Sequence, residues 1–302
     1  METISKLLHA AEVFGSSPLR VQGAGGNISE KNKDVMYVKA SGWFLRDMKE
    51  RAGYVACSYN AIADYLFKTV ETPGSQERRS FALEAAFNEA VDAAVRAEES
   101  FGSPSMETGM HAVLSKYVFH THNVFANILG CMKDGEKVAQ DIFPRTPFAF
   151  VPYFNPGREL ALEIARLSRR GSVPPILFLR NHGLLTHSDD FEKALGASME
   201  VEKNIEAYLE KRGALAPFKV KETPADFSRH IFPDSVVYSQ INFENLPEAK
   251  RRVFYEISSA VNYILDAIKK LGGEAAFLDA ADVAFIKNMD KEKARIQMLK
   301  NS

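Results

Sequence analysis

The sequence predicts an α/β domain over residues 1–213 with a C-terminal extension, residues 214–302, packed on it. Short runs rich in β-branched and aromatic residues, such as Val35 to Lys39 and Ile176 to Leu179, alternate with longer stretches whose apolar residues recur at helical spacing. After Gly213 the pattern changes. Pro217, Pro224, Pro233 and Pro247 interrupt a mixed segment before one more long helical pattern begins.

Taken in order, Ile4, Leu7, Leu8, Ala11 and Val13 fit an amphipathic first helix. Gly23, Gly25 and Gly26 then cluster ahead of Asn27, Ile28 and Ser29. A glycine-rich turn lets backbone N–H groups approach an anion, with Asn and Ser as added donors. Such turns also occur with no ligand, and neither a Walker loop nor a dinucleotide fingerprint fits here. Val35 to Lys39 reads as a strand broken at Ser41-Gly42, and GYVACS as another. Tyr59 to Phe67 reads as a helix capped by Ser58, and Thr72, Pro73 and Gly74 open a polar loop continuing as SQERRS. Phe81 to Ala97 is alanine-rich and helical. Ser105 is placed to cap a helix that carries Glu107 in its first turn and runs to Lys116, where an acid also simply complements the helix dipole.

Tyr117 to His122 reads as a strand and Val124 to Cys131 as a helix behind it. Asp141 to Tyr153 is an extended, proline-punctuated stretch, followed by a helix from Glu159 to Arg169 that Gly171 ends. Ile176 to Leu179 is an apolar strand with Asn181-His182-Gly183 at its end, and Asp189 to Lys211 a long helix. In the extension, Glu248 to Leu271 reads as a helix, DVAFIK as a last short strand, and the lysine-rich end as a solvated helix.

Side chains at i and i+2 of a strand share a face, so His120 and His122 aim at one point while Thr121 faces away. Two converging imidazoles near a carboxylate suggest a transition-metal site, most simply zinc. Cys57 and Cys131 are far apart, so the shell would be nitrogen-rich with an open position, a catalytic pattern. His182, beside a glycine at a strand end, is the candidate third ligand, and His187 a weaker one. Two histidines in this pattern are also found simply packed in cores.

Composition removes several classes. With 302 residues, 46% hydrophobic, 25% charged and a net charge of -1, the chain reads as globular with no electrostatic footprint for nucleic acid. No apolar run approaches the ~20 residues of a membrane helix. Glu2 precedes the first apolar residues and no small-residue cleavage site follows, so no signal peptide is expected; the two cysteines read as buried thiols and the location as cytoplasmic.

In order, GAGGNIS, VKASG, PSMETGMHA, HTH and NHGLL resemble the class II aldolase/adducin family over about residues 3–210. KASGW and VPYFNPG look most like the aldolase domains of rhamnulose-phosphate aldolase/dehydrogenase fusions; no GxGxxG follows residue 213 to supply the dehydrogenase half. The resemblance implies a three-layer α/β/α fold with a central, mostly antiparallel sheet, and a homotetramer with sites near subunit interfaces. It also implies Zn²⁺ on His120, His122 and His182, Glu107 as the catalytic acid, and substrate phosphate on Gly25, Asn27, Ser41, Gly42 and Ser105. Ala24 and Met106 stand where fuculose-phosphate aldolase has hydroxyls, which puts the anion's mode of binding in question, and Lys39 is a candidate substitute. The implied reaction is retro-aldol cleavage of a ketose 1-phosphate to dihydroxyacetone phosphate and an aldehyde. A ketopentose-phosphate 4-epimerase, a dehydratase and a non-catalytic adducin-like module are the other readings. Tyr238 is a candidate for a further site role, or else a strand tyrosine of the extension.

Overall fold

A computed structural model describes residues 4–72 and 77–300. The polar loop expected from Pro73 onward therefore lies, over residues 73–76, outside the described residues. The elements run α1 (Ser5–Gly15), β1 (Asn27–Asn32), β2 (Val35–Lys39), β3 (Tyr54–Ser58), α2 (Tyr59–Glu71), α3 (Phe81–Ala93), α4 (Thr108–Ala112), β4 (Tyr117–Thr121), α5 (Val124–Gly130), α6 (Gly135–Ile142), β5 (Phe148–Val151), α7 (Arg158–Arg170), β6 (Ile176–Leu179), β7 (Gly183–Ser188) and α8 (Phe191–Lys211). The extension adds α9 (Pro233–Tyr238), α10 (Glu248–Lys270), α11 (Ala280–Asn288) and α12 (Asp290–Lys300).

The seven strands form one sheet in the order β3-β2-β1-β4-β7-β6-β5. Every neighbouring pair is antiparallel except β5 with β6. Strand alternation divides the apolar residues between two helical layers. On β4, Phe119 packs with Leu7 and Phe14 of α1 and Phe191 of α8, whereas its neighbour Val118 packs with Met110 of α4 and Leu160 and Ile164 of α7. The sheet is thus covered on both faces, as the resemblance implied.

The extension shares the core of the rest. One apolar cluster joins Phe125 and Ile128 of α5, Phe178 of β6 and Ile205 of α8 to Val236 of α9, Ile257 and Val261 of α10 and Ile286 of α11. A polar tie adds to this: Asp282 of α11 accepts from Arg79 Nε at 2.9 Å and from Asn155 Nδ2 at 3.0 Å.

Several expectations are corrected. DVAFIK is the helix α11, because Asp279 caps it by accepting from the Asp282 N–H at 2.7 Å, and a short apolar run carries no period of its own. Tyr238 ends a helix, not a strand, since Pro233 at the first turn presets helical φ. Asp141 and Ile142 belong to α6 rather than to an extended stretch. The helix carrying Glu107 stops at Ala112, and α3 at Ala93. Ser58 stands at the start of α2 without a capping side-chain hydrogen bond. The α12 helix is not solvated all round: Glu292 and Ile296 are buried against the rest of the chain. Among the described residues no helix is long and apolar enough to cross a membrane.

Two expectations follow for stability. Ile257 is fully buried in the shared cluster. Ile257→Ala should lower the unfolding free energy by about 2–5 kcal/mol, read from urea denaturation; a loss under about 1 kcal/mol would show that the extension does not share the core. Between α4 and β1, His111 Nδ1 lies 2.8 Å from Ser29 Oγ, and burial pushes this imidazole down to about 3. The unfolded chain takes up that proton below about pH 6.5 while the folded chain does not. The stability so contributed is present above the unfolded value and lost as pH falls toward the folded one. Urea midpoints of metal-free protein between about pH 7 and 4.5 should therefore fall more steeply for wild type than for His111→Gln, and equal slopes would contradict the assignment.

Candidate active site

The end of β4 and the β6–β7 turn bring three histidines together. Ring centroids are 5.1 Å apart for His120 and His122, 4.8 Å for His120 and His182, and 5.4 Å for His122 and His182. Glu107, at the start of α4, places Oε1 3.0 Å from His182 Nε2 and 3.4 Å from His120 Nε2. Ligand-capable atoms of the four residues lie within 4.8 Å of one another.

Local sequence explains this convergence. The antiparallel register pairs Thr121 with Leu184 and His120 with Leu185, so the turn holding His182 lies beside the strand end holding the other two. Gly183 has to be glycine: a Cβ there would meet Thr121 O at 2.4 Å and the His120 ring at 2.9 Å. Asn181 takes φ 51°, a left-handed conformation that asparagine tolerates. Its amide donates to Ile231 O at 2.9 Å and Ala276 O at 3.0 Å, which ties the turn to the extension.

The electrostatics suit a cation. Nδ1 of His120 lies 3.1 Å from Leu184 O, and Nδ1 of His122 lies 3.0 Å from Asp234 Oδ2. Acceptors at those positions orient both rings with an N–H at Nδ1. Among the described residues Nε2 of both rings is buried with no hydrogen-bond partner. Burial pushes His182 down to about 4. Burial alone would raise the Glu107 carboxyl, but the imidazoles of His120 and His182 outweigh it and hold the group well below the usual carboxylate range. Three imidazoles, with a carboxylate beside them, fit a divalent transition metal with a position to spare.

A cavity of about 670 Å³ opens in front of this cluster. Gly25, Ser41, Gly42 and Ser105 line it, together with Ala24, Lys39, Met106, Glu107, His122 and His182. Asn27 is not brought to its wall. It is fully buried in β1, in register with His120, with both amide atoms unpartnered among the described residues. Lys39 does not face solvent: its Nζ donates to Ala24 O at 3.0 Å and Trp43 O at 2.9 Å, and burial lowers it to about 8. Gly25 has a packing role as well, since a Cβ would come within 2.7 Å of His122 Nδ1.

Two weaker candidates fall away. His187, at the far end of β7, lies 2.9 Å from Ser115 Oγ and 3.0 Å from Pro174 O, remote from the cluster. Tyr238 is buried beneath Arg295, whose guanidinium is 5.6 Å from the ring centroid, and does not line the cavity. Sequence reasoning missed the contribution of the extension. Asp234, Lys291, Glu292 and Arg295 line the cavity, and Glu256 accepts from the Gly23 N–H at 2.8 Å, fixing the glycine-rich turn from α10. Isolated acids and a charged terminal helix give no periodic signal that would single them out.

Comparison with known proteins identifies the family. Residues 6–209 match the family model described as Class II Aldolase and Adducin N-terminal domain. An uncharacterized oxidoreductase of Bacillus subtilis (strain 168), YuxG, is 26% identical over 221 residues, covering 69% of this chain but only 30% of that protein. The N-terminal class II aldolase domain of a conserved protein from Thermoplasma acidophilum superposes with a TM-score of 0.56 at 23% identity, over 69% of this chain and 95% of that one. A sugar-phosphate aldolase from Thermotoga maritima superposes with a TM-score of 0.51 at 14% identity, over 72% and 97% of the two chains. The chain belongs to the class II aldolase and adducin family.

Proposed function

We propose that the protein is a zinc-dependent aldolase that reversibly cleaves a ketose 1-phosphate, or a related hydroxy-keto sugar, to dihydroxyacetone phosphate and an aldehyde. The observation that carries this reading is the convergence of His120, His122, His182 and Glu107 on one point at the wall of a large cavity. A non-catalytic adducin-like module would have no use for three imidazoles with buried, unpartnered nitrogens.

His120, His122 and His182 would hold the metal. A divalent cation bound there supplies Lewis-acid stabilisation of the charge that develops on the ketose oxygens as the C–C bond breaks. Glu107 moves the proton. Ionised at rest, it is ready to remove a proton from the nucleophilic carbon in the addition direction. In cleavage the same carboxyl, once protonated, returns that proton to carbon.

The anionic end of the substrate would meet Ser41, Gly42, Ser105 and Gly25, which share the cavity with the metal cluster. Hydroxyls at positions 24 and 106 are missing, and Lys39 is the charge that compensates. Two of its N–H donors are committed to Ala24 O and Trp43 O, leaving one for a ligand. Asn27 would act from behind the wall rather than by contact. A cytoplasmic homotetramer, in the manner the family resemblance implies, completes the proposal.

The test is a screen of ketose 1-phosphates in which released dihydroxyacetone phosphate is coupled to NADH oxidation. Glu107→Gln should keep its zinc and lose about 10²–10⁴-fold in kcat, while His120→Ala should lose the zinc itself. Normal turnover by metal-loaded Glu107→Gln, or full zinc content in His120→Ala, would overturn the assignment.

A further inference from the structure

His120 and His122 are oriented by different means. His120 lies within β4, and the carbonyl of Leu184 on the adjacent strand takes its Nδ1 proton at 3.1 Å. His122 lies one residue beyond the strand. Its Nδ1 meets a side chain instead, Asp234 Oδ2 at 3.0 Å, delivered by α9 of the extension. Asp234 is 3% exposed, and a lone carboxylate so buried would be costly. Its second oxygen is held by Arg295 Nη1 of α12 at 2.7 Å. Arg295 is braced in turn by the Tyr238 ring and by Glu292 Oε2 at 3.6 Å. The missing side chain of Gly25 lets the backbone press against the His122 ring at Nδ1 as well.

We propose that Asp234, steadied by Arg295, is the positioning residue for His122, so that the α9–α12 part of the extension completes the metal centre and sets its affinity. A carboxylate on the far nitrogen fixes a ligand imidazole's orientation and raises its basicity. The chain Arg295–Asp234–His122 therefore links docking of α12 to metal binding. By reciprocity, any metal that needs a correctly aimed His122 stabilises the docked α12 by the same free energy that docking lends to the metal. The inference rests on the metal-site reading and is independent of which reaction the site performs.

The experiment measures zinc dissociation constants by competition with a chromophoric chelator, for wild type, Asp234→Asn, Asp234→Glu and Arg295→Met, with the thermal midpoint of each metal-free protein as a check on folding. Asp234→Asn should bind zinc about 10–100-fold more weakly. Arg295→Met should weaken binding in the same direction, and Asp234→Glu should lie closer to wild type than Asp234→Asn. Amide exchange within residues 290–297 should slow on adding zinc to wild type, and not in Asp234→Asn. A folded Asp234→Asn protein within about twofold of wild-type affinity would overturn the inference, even if His120→Ala abolishes zinc binding. Should Asp234→Asn fail to fold, a folded Arg295→Met protein with wild-type affinity overturns it equally. A folded wild type that takes up no zinc overturns this inference and the metal-site reading together.

Discussion

The antiparallel pairing of β4 with β7 is the constraint on which the site depends. It sets the strand end bearing His120 and His122 against the turn bearing His182, and leaves no room for a side chain at residue 183. The face of β4 that carries His120 is also the face packed by α4 and α7, so the same alternation that buries Val118 brings Glu107 to the imidazoles. A slip of one residue in that register would turn His120 toward the α1 and α8 layer and empty the cluster. The rigid sheet anchors the strand end and the turn that carry these ligands.

The extension is the second determinant. It packs into the largest apolar cluster and also reaches the site at separate points: Asn181 is tied to Ile231 and Ala276, Gly23 to Glu256, and His122 to Asp234. Each of these contacts gives a buried polar or charged group a hydrogen-bond partner. Such pairs add little net stability but select one arrangement among several, because every misaligned alternative leaves a buried group unpaired. The apolar cluster holds the extension on; the polar contacts determine where it sits.

What could be read from the sequence follows from how local each signal is. His120 and His122 share a face because of a two-residue period, and His182 precedes a glycine at a strand end, so neighbours in the chain carry that information. The ordered motifs then identified the family, which residues 6–209 bear out, and with it the covered, mostly antiparallel sheet. Asp234, Glu256 and Arg295 lie outside those motifs. Their partners are distant in sequence, and a charged residue in a helix looks solvated until the surface it faces is known. The same lack of long-range information hid the helical state of residues 280–288, which Asp279 decides by capping, and put Asn27 on a wall it does not reach.

The central claim is that His120, His122 and His182 form one nitrogen-rich metal centre. X-ray absorption at the zinc edge of the loaded wild-type protein tests it most directly. A first shell of nitrogen and oxygen at about 2.0–2.1 Å, with outer-shell scattering from three imidazoles that falls to two in His182→Ala, is the predicted result. A shell containing sulfur, or one without imidazole scattering, would contradict the account.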